Sequence, residues 1–371
     1  MAEHSVLVSG GGIAGSTAAY WLAMSGWSVT IVERAAGTPT DGNPVDVRGA
    51  AVAIARQMGI WPHLQEAGTG VERLVFVDAD GRPLASIRTR QRGDRHAEVE
   101  VARNELVNLL LSKARENSLI IEGDSVTALH QNGAGIDVEF GRTPSLRFDL
   151  VVGADGIHSA VRTLAFGPDD LFSHPLGMFV GTVRSPMPIE DPRTVLLYNE
   201  PGTSLTIHPA GGKPGFAFIF RGQHNFDYRD TEQGRRLVES TYAGGGWLTT
   251  HALQEWGAAG DRYFDAVTRV EVPRWNTGRV VLLGDAASCI SLFSEGSSSA
   301  IVGAKTLADA IATHPGDHTT AFGAYEHTHR KYVRPLHRGA GIASRLLVPN
   351  TRWGITTRNA VLNALPLRNK R

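Results

Sequence analysis

The sequence predicts an α/β protein in which a parallel-sheet domain is interleaved with an antiparallel β-sheet domain and followed by C-terminal helices. Three observations lead to this fold class. A strand, a glycine-rich turn, a helix and a second strand follow one another at the N-terminus. A series of short strands separated by Pro/Gly turns fills the middle of the chain. Helical periodicity returns after a last apolar strand near residue 283.

Length and composition agree with this fold class. The chain has 371 residues, more than the roughly 250–300 that one hydrophobic core usually serves. Hydrophobic residues make up 42% and charged residues 20% of a chain with 42 glycines, as in globular α/β proteins. Lys+Arg and Asp+Glu both number 37, which argues against nucleic acid as a partner.

Cysteine usage and the terminal segments indicate a cytoplasmic protein. The single Cys289 excludes an internal disulfide and fits a reducing compartment. The N-terminus lacks the basic and then apolar build of a signal peptide, and no apolar run approaches the roughly 18 residues that span a bilayer. The basic tail of residues 350–371 is read as a solvated terminal helix, with a membrane or partner contact as the alternative. We therefore expect no stable membrane association.

The N-terminal segment "SVLVSGGGIAGSTAAYWLAMSGWSVTIVER" forms one βαβ unit with glycines at the three positions of G-x-G-x-x-G. Gly10 permits a tight turn, Gly12 lets the backbone approach a pyrophosphate, and Gly15 lets the helix pack closely on the strand. The phosphate is expected at the helix N-terminus, beside Ile13 and Ala14, where free N–H groups and the helix dipole favour negative charge. A glycine turn without any ligand is the alternative.

An acid ends the second strand of this unit. Glu33 lies about 20 residues beyond the glycine turn, where it can accept hydrogen bonds from an adenosine ribose, and Arg34 follows it. The acid argues against a 2′-phosphate, so the sequence predicts a Rossmann-like domain that binds NAD or FAD.

The elements that follow alternate between helices and hairpins. Helical patterns run over residues 49–64 and 104–116, and "LVFVDADGRPLASIRT" is read as a hairpin around Asp80-Gly81. Residues 178–220 contain four segments that predict an antiparallel sheet and hence a second domain. Its aromatic residues either line a substrate cavity or fill the core, namely Phe179, Tyr198, Phe218 and Phe220.

These elements predict discontinuous domains. The dinucleotide-binding domain is expected over residues 1–70, 96–170 and 270–345. The antiparallel domain is expected over residues 71–95 and 171–269. Residues 346–371 are expected to form a C-terminal helix or tail.

Two more core strands end in paired Gly and Asp residues. "FDLVVGADGIHSAVR" places Asp155 after one strand, and "GRVVLLGDAA" places Gly284 and Asp285 after another. An NAD dehydrogenase needs one glycine turn, whereas FAD is an extended dinucleotide whose ribityl chain needs polar groups beyond the adenosine end. Asp285 would supply such a group, so FAD is the favoured cofactor.

Together with Arg103 of "VARNELVNLLL", these segments resemble the group A FAD-dependent aromatic monooxygenases, which have the p-hydroxybenzoate hydroxylase-like fold and include tetracycline-modifying monooxygenases. The resemblance spans residues 1 to about 345. It implies that Glu33 binds the adenosine ribose, that Arg103 reaches the FAD phosphate or ribityl region, and that Asp285 binds the ribityl chain. It associates Asp155 with both FAD and NAD(P)H.

The resemblance also points to the flavin ring. It implies that backbone N–H groups of Gly296 and Ser297 cap the pyrimidine edge of the flavin. Arg48 lies where the family often brings a side chain near the isoalloxazine, with a solvent-facing side chain as the alternative. The loop of residues 288–299 departs from the family pattern, because Ser288 replaces a common histidine and "SLFSEGSSS" replaces a proline-rich stretch.

The activity implied by the resemblance is an FAD-dependent monooxygenase reaction. NADPH or NADH reduces FAD, and a flavin C4a-hydroperoxide then hydroxylates an aromatic or polyketide-like small molecule. No catalytic side chain and no metal follow from this chemistry. We expect a monomer or a homodimer. The basic residues Arg88, Arg90, Arg92 and Arg95 either dock the NADPH phosphates or form a solvated hairpin flank.

Other functions are weighed against this one. "GSSSA" at residues 296–300 approaches the G-x-S-x-G of serine hydrolases, but a loop separates it from the preceding strand and Ala300 replaces the second glycine. His327 and His329 do not share a helix face, which argues against a metal site. An FAD-dependent reductase or dehydrogenase and a non-catalytic flavin-binding protein both stay open, and oxygen consumption with NAD(P)H would separate them from an oxygenase.

Overall fold

The structure is a computed structural model that describes residues 4–37, 43–89, 98–292 and 295–364. The predictions for Arg90, Arg92 and Arg95, and for residues 365–371 of the tail, lie outside the described residues. The chain divides into two compact units. The first comprises Met1–Glu66, Arg103–His174 and Thr268–Arg338, and the second comprises Ala67–Ala102, Pro175–Val267 and Gly339–Arg371. The assignment of the flavin and the substrate to separate domains stays a prediction.

The strands are, in chain order, β1 Ser5–Ser9, β2 Ser28–Glu33, β3 Pro44–Arg48, β4 Arg73–Val77, β5 Pro83–Arg88, β6 Glu98–Ala102, β7 Ser118–Glu122, β8 Val126–Asn132, β9 Gly135–Phe140, β10 Leu146–Phe148, β11 Leu150–Gly153, β12 Ser173–Arg184, β13 Thr194–Glu200, β14 Thr203–His208, β15 Gly215–Arg221, β16 Tyr263–Glu271, β17 Asn276–Thr277, β18 Val280–Leu282 and β19 Ser288–Ile290.

The helices are α1 Ile13–Met24, α2 Ala50–Gln57, α3 Trp61–Glu66, α4 Arg103–Arg115, α5 Ala160–Phe166, α6 Thr231–Tyr242, α7 Thr249–Ala258, α8 Gly296–Thr313, α9 His318–Arg338, α10 Ala340–Leu347 and α11 Arg352–Ala364.

The first unit contains a six-stranded sheet of order β17-β18-β11-β1-β2-β7, in which only β17 runs antiparallel to its neighbour. Its central strands are apolar runs because helices cover both faces of such a sheet. The register aligns Ser9 with Gly153 on one side and with Val32 on the other, and Gly153 with Leu282. The carboxyl ends of β1, β2, β11 and β18 therefore meet at one edge.

Helices α4 and α8 both pack on α1, whose side chains are mostly small and buried. The sequence predicts a single helix over residues 49–64, but the structure has two, α2 and α3. The break falls at Gly59, whose φ of 71° is a left-handed conformation that ends a helix and that glycine adopts without a steric cost.

The second unit contains the predicted antiparallel sheet, of order β16-β12-β15-β14-β13-β4-β5, with one parallel pair between β4 and β13. Helices α6 and α7 supply Tyr242 and Trp256 to a core on one face of the sheet. Phe179, Phe218 and Phe220 belong to this same core and are at most 3% exposed, so they fill the core.

The C-terminal segment is helical and packed. Helix α11 lies against β5 and β13 of the second unit. None of the helices in the described parts of the chain is both long enough and apolar enough to cross a membrane.

Candidate functional site

The candidate site lies in the first unit, at the sheet edge where the chain reverses its direction of strand addition. From β1, strands β2 and β7 are added on one side, whereas β11 and β18 lie on the other. Open α/β sheets bind ligands at the carboxyl ends of strands at such a switch point. The glycine turn, Glu33 and the two Gly/Asp pairs all follow strands that end here.

Two glycines of the turn are required by the protein's own packing. Gly10 has a φ of 106°, and a Cβ there would lie 2.5 Å from the carbonyl oxygen of Ala154. A Cβ on Gly15 would lie 1.9 Å from the carbonyl oxygen of Gly10. At Gly12, by contrast, a Cβ would meet no atom of the described chain within 4 Å. The middle glycine therefore borders open space, as a position that a phosphate approaches should.

The N-terminus of α1 presents unused donors beside this space. Gly12 is the N-cap residue, and the first backbone bond of the helix runs from the Ser16 N–H to the Gly12 carbonyl at 2.9 Å. The N–H groups of Ile13, Ala14 and Gly15 precede that bond and have no acceptor within the described residues. Their direction and the helix dipole suit a pyrophosphate.

Glu33 ties the end of β2 to the glycine turn. One carboxylate oxygen accepts a hydrogen bond from the Gly11 N–H at 2.7 Å, and the other accepts one from the Ala35 N–H at 2.8 Å. Each oxygen keeps a second lone pair, so the carboxylate can still accept bonds from a ribose. Sequence reasoning missed this positioning role. Arg34 is exposed beside it.

The Gly284–Asp285 turn packs directly on the start of α1. Gly284 has a φ of 64°, and a Cβ there would lie 2.9 Å from the Ala14 Cβ. This close approach brings the turn after β18 next to the predicted pyrophosphate position, although the two segments are about 270 residues apart in the chain.

Asp285 has a carboxylate that the protein itself leaves without a hydrogen bond among the described residues. Burial raises the pKa of this carboxyl above its ordinary value of 3.8, and the nearby charge of Arg103 opposes the rise. The alternative role of Asp285 as a helix cap is not observed, since no side-chain cap bond is made at this turn. A buried carboxylate needs donors, and ribityl hydroxyls fit that need.

Arg103 is the first residue of α4 and is exposed. Its guanidinium forms no ion pair within the described part of the chain, yet it is close enough to act on the charge of Asp285. The structure thus brings together the two residues that the family resemblance assigned to the phosphate and ribityl region.

Asp155 is placed at the same edge but is occupied by its own segment. One carboxylate oxygen accepts a 2.5 Å hydrogen bond from the Ser159 hydroxyl, and the other accepts one from the Val161 N–H at 3.0 Å. Burial raises the pKa of the Asp155 carboxyl, and the Ser159 bond opposes that rise. The side chain therefore shapes the start of α5, and its predicted contact with FAD or NAD(P)H stays a prediction.

Arg162 is a positioning residue for which the sequence indicated no role beyond its place in "GADGIHSAVR". It is fully buried and donates to the carbonyl oxygens of Ala286 at 3.0 Å and Ile157 at 2.6 Å. It also forms an ion pair with Asp169. One guanidinium thereby links the Asp155 segment to the turn that carries Asp285.

Helix α8 begins against β3. The hydroxyls of Ser297 and Ser298 donate to the Asp46 carbonyl at 2.6 and 2.9 Å. The N–H groups of Gly296 and Ser297 have no acceptor among the described residues, because they form the first turn of the helix. The hydroxyl of Ser297 is engaged, but its backbone N–H can still serve an anion or a carbonyl oxygen.

Arg48, at the end of β3, is held by this same helix start. Its backbone N–H donates to the Ser298 hydroxyl at 3.0 Å, and its guanidinium lies 2.8 Å from a carboxylate oxygen of Glu295. Its side chain is 40% exposed, between the flavin-facing and the solvent-facing alternatives. Any contact between Arg48 and a flavin stays a prediction.

The alternatives to a flavin site lack the required geometry. Ser298, the central serine of "GSSSA", is buried and bonded to Asp46, so it is no exposed nucleophile. Cys289 is buried in β19. His329 is buried against Tyr325 and Tyr332. No group of three potential metal ligands occurs among the residues that the structure covers.

Comparison with known proteins agrees with this geometry. Residues 3–329 match the family described as FAD binding domain. A flavin-dependent monooxygenase of Legionella longbeachae is 34% identical over 334 residues, which cover 88% of this chain and 85% of the relative.

Solved structures share the fold over almost the whole chain. The crystal structure of tetracycline destructase Tet(51) superposes with a TM-score of 0.85 at 28% identity and covers 97% of this chain and 95% of its own. Klebsiella pneumoniae HpxO complexed with FAD superposes with a TM-score of 0.76 at 22% identity, with 97% and 94% coverage, and supports the fold alone.

Proposed function

Because the chain belongs to the FAD binding domain family of flavin-dependent monooxygenases, we propose that it uses NADPH or NADH and O2 to hydroxylate an aromatic or polyketide-like small molecule. It is an FAD-dependent oxidoreductase that acts on small molecules. The nicotinamide co-substrate, the oxygen transfer and the aromatic nature of the substrate are the proposed parts.

The observation that carries the proposal is the unpartnered carboxylate of Asp285 beside the open space at Gly12. A lone nucleotide would use only the glycine turn and Glu33, so a second polar position deeper in the site supports a longer dinucleotide. When bound, FAD supplies the redox chemistry that passes electrons from NAD(P)H to O2 and an oxygen atom to the substrate.

The chain's own groups would bind that cofactor in order along the sheet edge. Glu33 would accept bonds from the ribose, and the free N–H groups at the start of α1 would hold the pyrophosphate. Asp285 would accept bonds from the ribityl hydroxyls, with Arg103 near enough to keep the carboxylate ionised.

The N-terminus of α8 would act on the flavin ring. Its unused N–H groups at Gly296 and Ser297, with the positive end of the helix dipole, favour negative charge or a carbonyl oxygen in front of them. The two serine bonds to Asp46 hold this helix end in place without using those N–H groups. The atypical residues of this loop thus keep the helix-end donors that the family pattern supplies.

A polycyclic phenol is the substrate class that the comparisons support. Tetracycline destructases, at 28% and 29% identity, are similar to this chain over 97% of its length. We therefore propose tetracycline-like and simpler phenols as the first substrates to test.

The test is a screen of FAD-loaded protein with NADH and with NADPH. Phenols and tetracyclic polyketides are added singly, and oxygen consumption and nicotinamide oxidation are followed together. A substrate should stimulate both and yield a product heavier by one oxygen atom, which carries the label when 18O2 is used. Nicotinamide oxidation without label in any product would indicate a reductase instead. FAD binding with no nicotinamide oxidation would indicate a non-catalytic flavin-binding protein.

A further inference from the structure

The second unit carries a groove that the flavin chemistry does not use. It has a volume of about 560 Å³ and lies between helices α10 and α11, with Arg221 of β15 in its wall. Ligand pockets in proteins typically measure about 300–1,000 Å³. We call it the C-terminal groove.

Its apolar wall is unusually exposed. Ile342 and Leu346 of α10 and Trp353 and Val361 of α11 are 67%, 45%, 77% and 52% exposed, and all four line the groove. Single exposed apolar residues need no explanation, but four around one concave surface indicate a binding site.

Its polar wall is cationic. Arg221, Arg345 and Arg358 line the groove, and no carboxylate occurs among its lining residues. Burial, with the like charge of Arg345 second, lowers the pKa of Arg221. No acid compensates for these charges, so the groove has a positive potential.

Arg358 is the innermost of the three and is only 7% exposed. Its guanidinium donates to the side-chain oxygens of Asn199 at 2.6 Å and Asn359 at 2.9 Å, and it lies 3.8 Å from the centre of the Phe76 ring. These acceptors are neutral, so they fix the guanidinium without neutralising it. Burial accordingly lowers the pKa of Arg358 to about 10.

The two outer arginines differ in their freedom. Arg221 is anchored to the carbonyl oxygens of Val348 at 2.8 Å and Ser344 at 2.9 Å. Arg345 is exposed and forms no hydrogen bond or ion pair within the described residues. One fixed and one adjustable cation beside an aromatic wall can bind a carboxylate whose apolar body lies on Trp353.

We propose that the C-terminal groove binds an amphipathic carboxylate, with its flat aromatic body against Ile342 and Trp353 and its carboxylate between Arg221 and Arg345. An anionic membrane shares the charge preference, but a flat bilayer surface cannot reach Arg358 or the anchored side of Arg221. The concave shape therefore favours a small molecule.

The experiment measures binding of naphthalene-2-carboxylate to the FAD-loaded protein by calorimetry. Its neutral amide serves as the matched ligand. Arg345→Gln and Trp353→Ala alter the groove at exposed positions, so both variants should fold, and circular dichroism checks this. Arg236→Gln, which removes an exposed arginine of α6 in the same unit, is the matched control for net charge.

We expect the carboxylate to bind at least tenfold more tightly than the amide, and more weakly as salt is added. Arg345→Gln and Trp353→Ala should each weaken it roughly tenfold, whereas Arg236→Gln should leave it unchanged. Equal binding to all four proteins would place the ligand elsewhere and overturn the proposal. Sedimentation with phosphatidylglycerol vesicles that Trp353→Ala abolishes, without naphthalene-2-carboxylate binding, would overturn it in favour of a membrane surface.

Discussion

At the scale of single residues, two carboxylates of the candidate site differ in their existing partners. Glu33 already accepts two backbone hydrogen bonds, whereas Asp285 accepts none from the described residues. Removing one should therefore affect both the protein and the cofactor, and removing the other should affect the cofactor alone.

Glu33→Gln should weaken FAD binding about tenfold and lower stability by about 1 kcal/mol. The amide keeps one acceptor oxygen, but its NH2 group faces either the Gly11 or the Ala35 N–H, so one charge-assisted bond is lost as well as ribose acceptance. Flavin titration and thermal unfolding measure the two effects.

Glu122→Gln is the matched control for this variant. Glu122 is aligned with Glu33 on the adjacent strand β7 and pairs with Arg115 at 2.6 Å on the surface. Its replacement should change neither quantity by much. If Glu33→Gln behaved like Glu122→Gln, Glu33 would be only a strand-end charge.

Asp285→Ala should weaken FAD roughly 10- to 150-fold, because hydrogen bonds to a charged group contribute about 1.5–3 kcal/mol. The FAD-free variant should unfold at the same temperature as the FAD-free wild type or higher, since burial disfavours the ionised carboxylate. The raised pKa means that this cost to the wild type develops as pH rises from about 3.8, so the gain in the variant should be larger at pH 7 than at pH 4.

The outcome that contradicts this role is specific. A variant that retains full FAD occupancy after dialysis while its melting temperature falls would make Asp285 an architectural residue. Circular dichroism and flavin absorbance on the same sample distinguish the two cases.

At the scale of elements, the glycine turn separates a fold requirement from a ligand requirement. Gly12→Ala places a methyl group in open space at an ordinary φ of −74°, so folding should be unchanged while FAD binding weakens at least tenfold. Gly15→Ala forces a methyl group against the Gly10 carbonyl, so it should destabilise the protein by several kcal/mol.

The pair is read by thermal unfolding without FAD and by flavin titration. Each variant serves as the other's control, because both add the same methyl group within one turn. Loss of stability in Gly12→Ala without FAD would show that the space at Gly12 is needed for folding.

The helix that starts beside β3 shows how an element can be predicted while its contacts are not. The small polar residues of "SEGSSSA" indicate a helix start, and α8 does begin at Gly296. That two of its serine hydroxyls donate to the Asp46 carbonyl depends on a strand about 250 residues earlier. No local pattern contains that information.

At the scale of the whole molecule, the packing of α8 on α9 makes stability depend on pH. His329 of α9 is buried, and the place of a Cβ on Gly303 of α8 lies 2.7 Å from its Nε2. Burial lowers the pKa of His329 from 6.5 to about 4. The unfolded chain thus takes up a proton near pH 6.5, whereas the folded chain takes it up only near pH 4.

We therefore expect a contribution of about 3 kcal/mol that is fully present above pH 6.5 and is lost as the pH falls towards 4. His329→Phe cannot be protonated, so its free energy of unfolding should fall less over this range. Urea unfolding at pH 7, 5.5 and 4 measures both proteins. Parallel pH profiles would show that His329 is already charged when folded.

The sequence alone determined the strand, turn and helix of the dinucleotide site, the acid after β2 and the Gly-Asp pair after β18. These features depend on local conformational preferences and on the rule that parallel strands end at one edge, so short motifs suffice to predict them. It also indicated a membership that the family match confirms.

The tertiary structure alone decided which polar groups are still available at that edge. Asp155 and Asp285 look alike in sequence, yet the first is used by the start of α5 and the second has no partner among the described residues. Arg162 and the C-terminal groove likewise depend on contacts between residues more than 100 positions apart. A hydrogen bond is decided by positions in space, and only the packed chain brings such residues within its range.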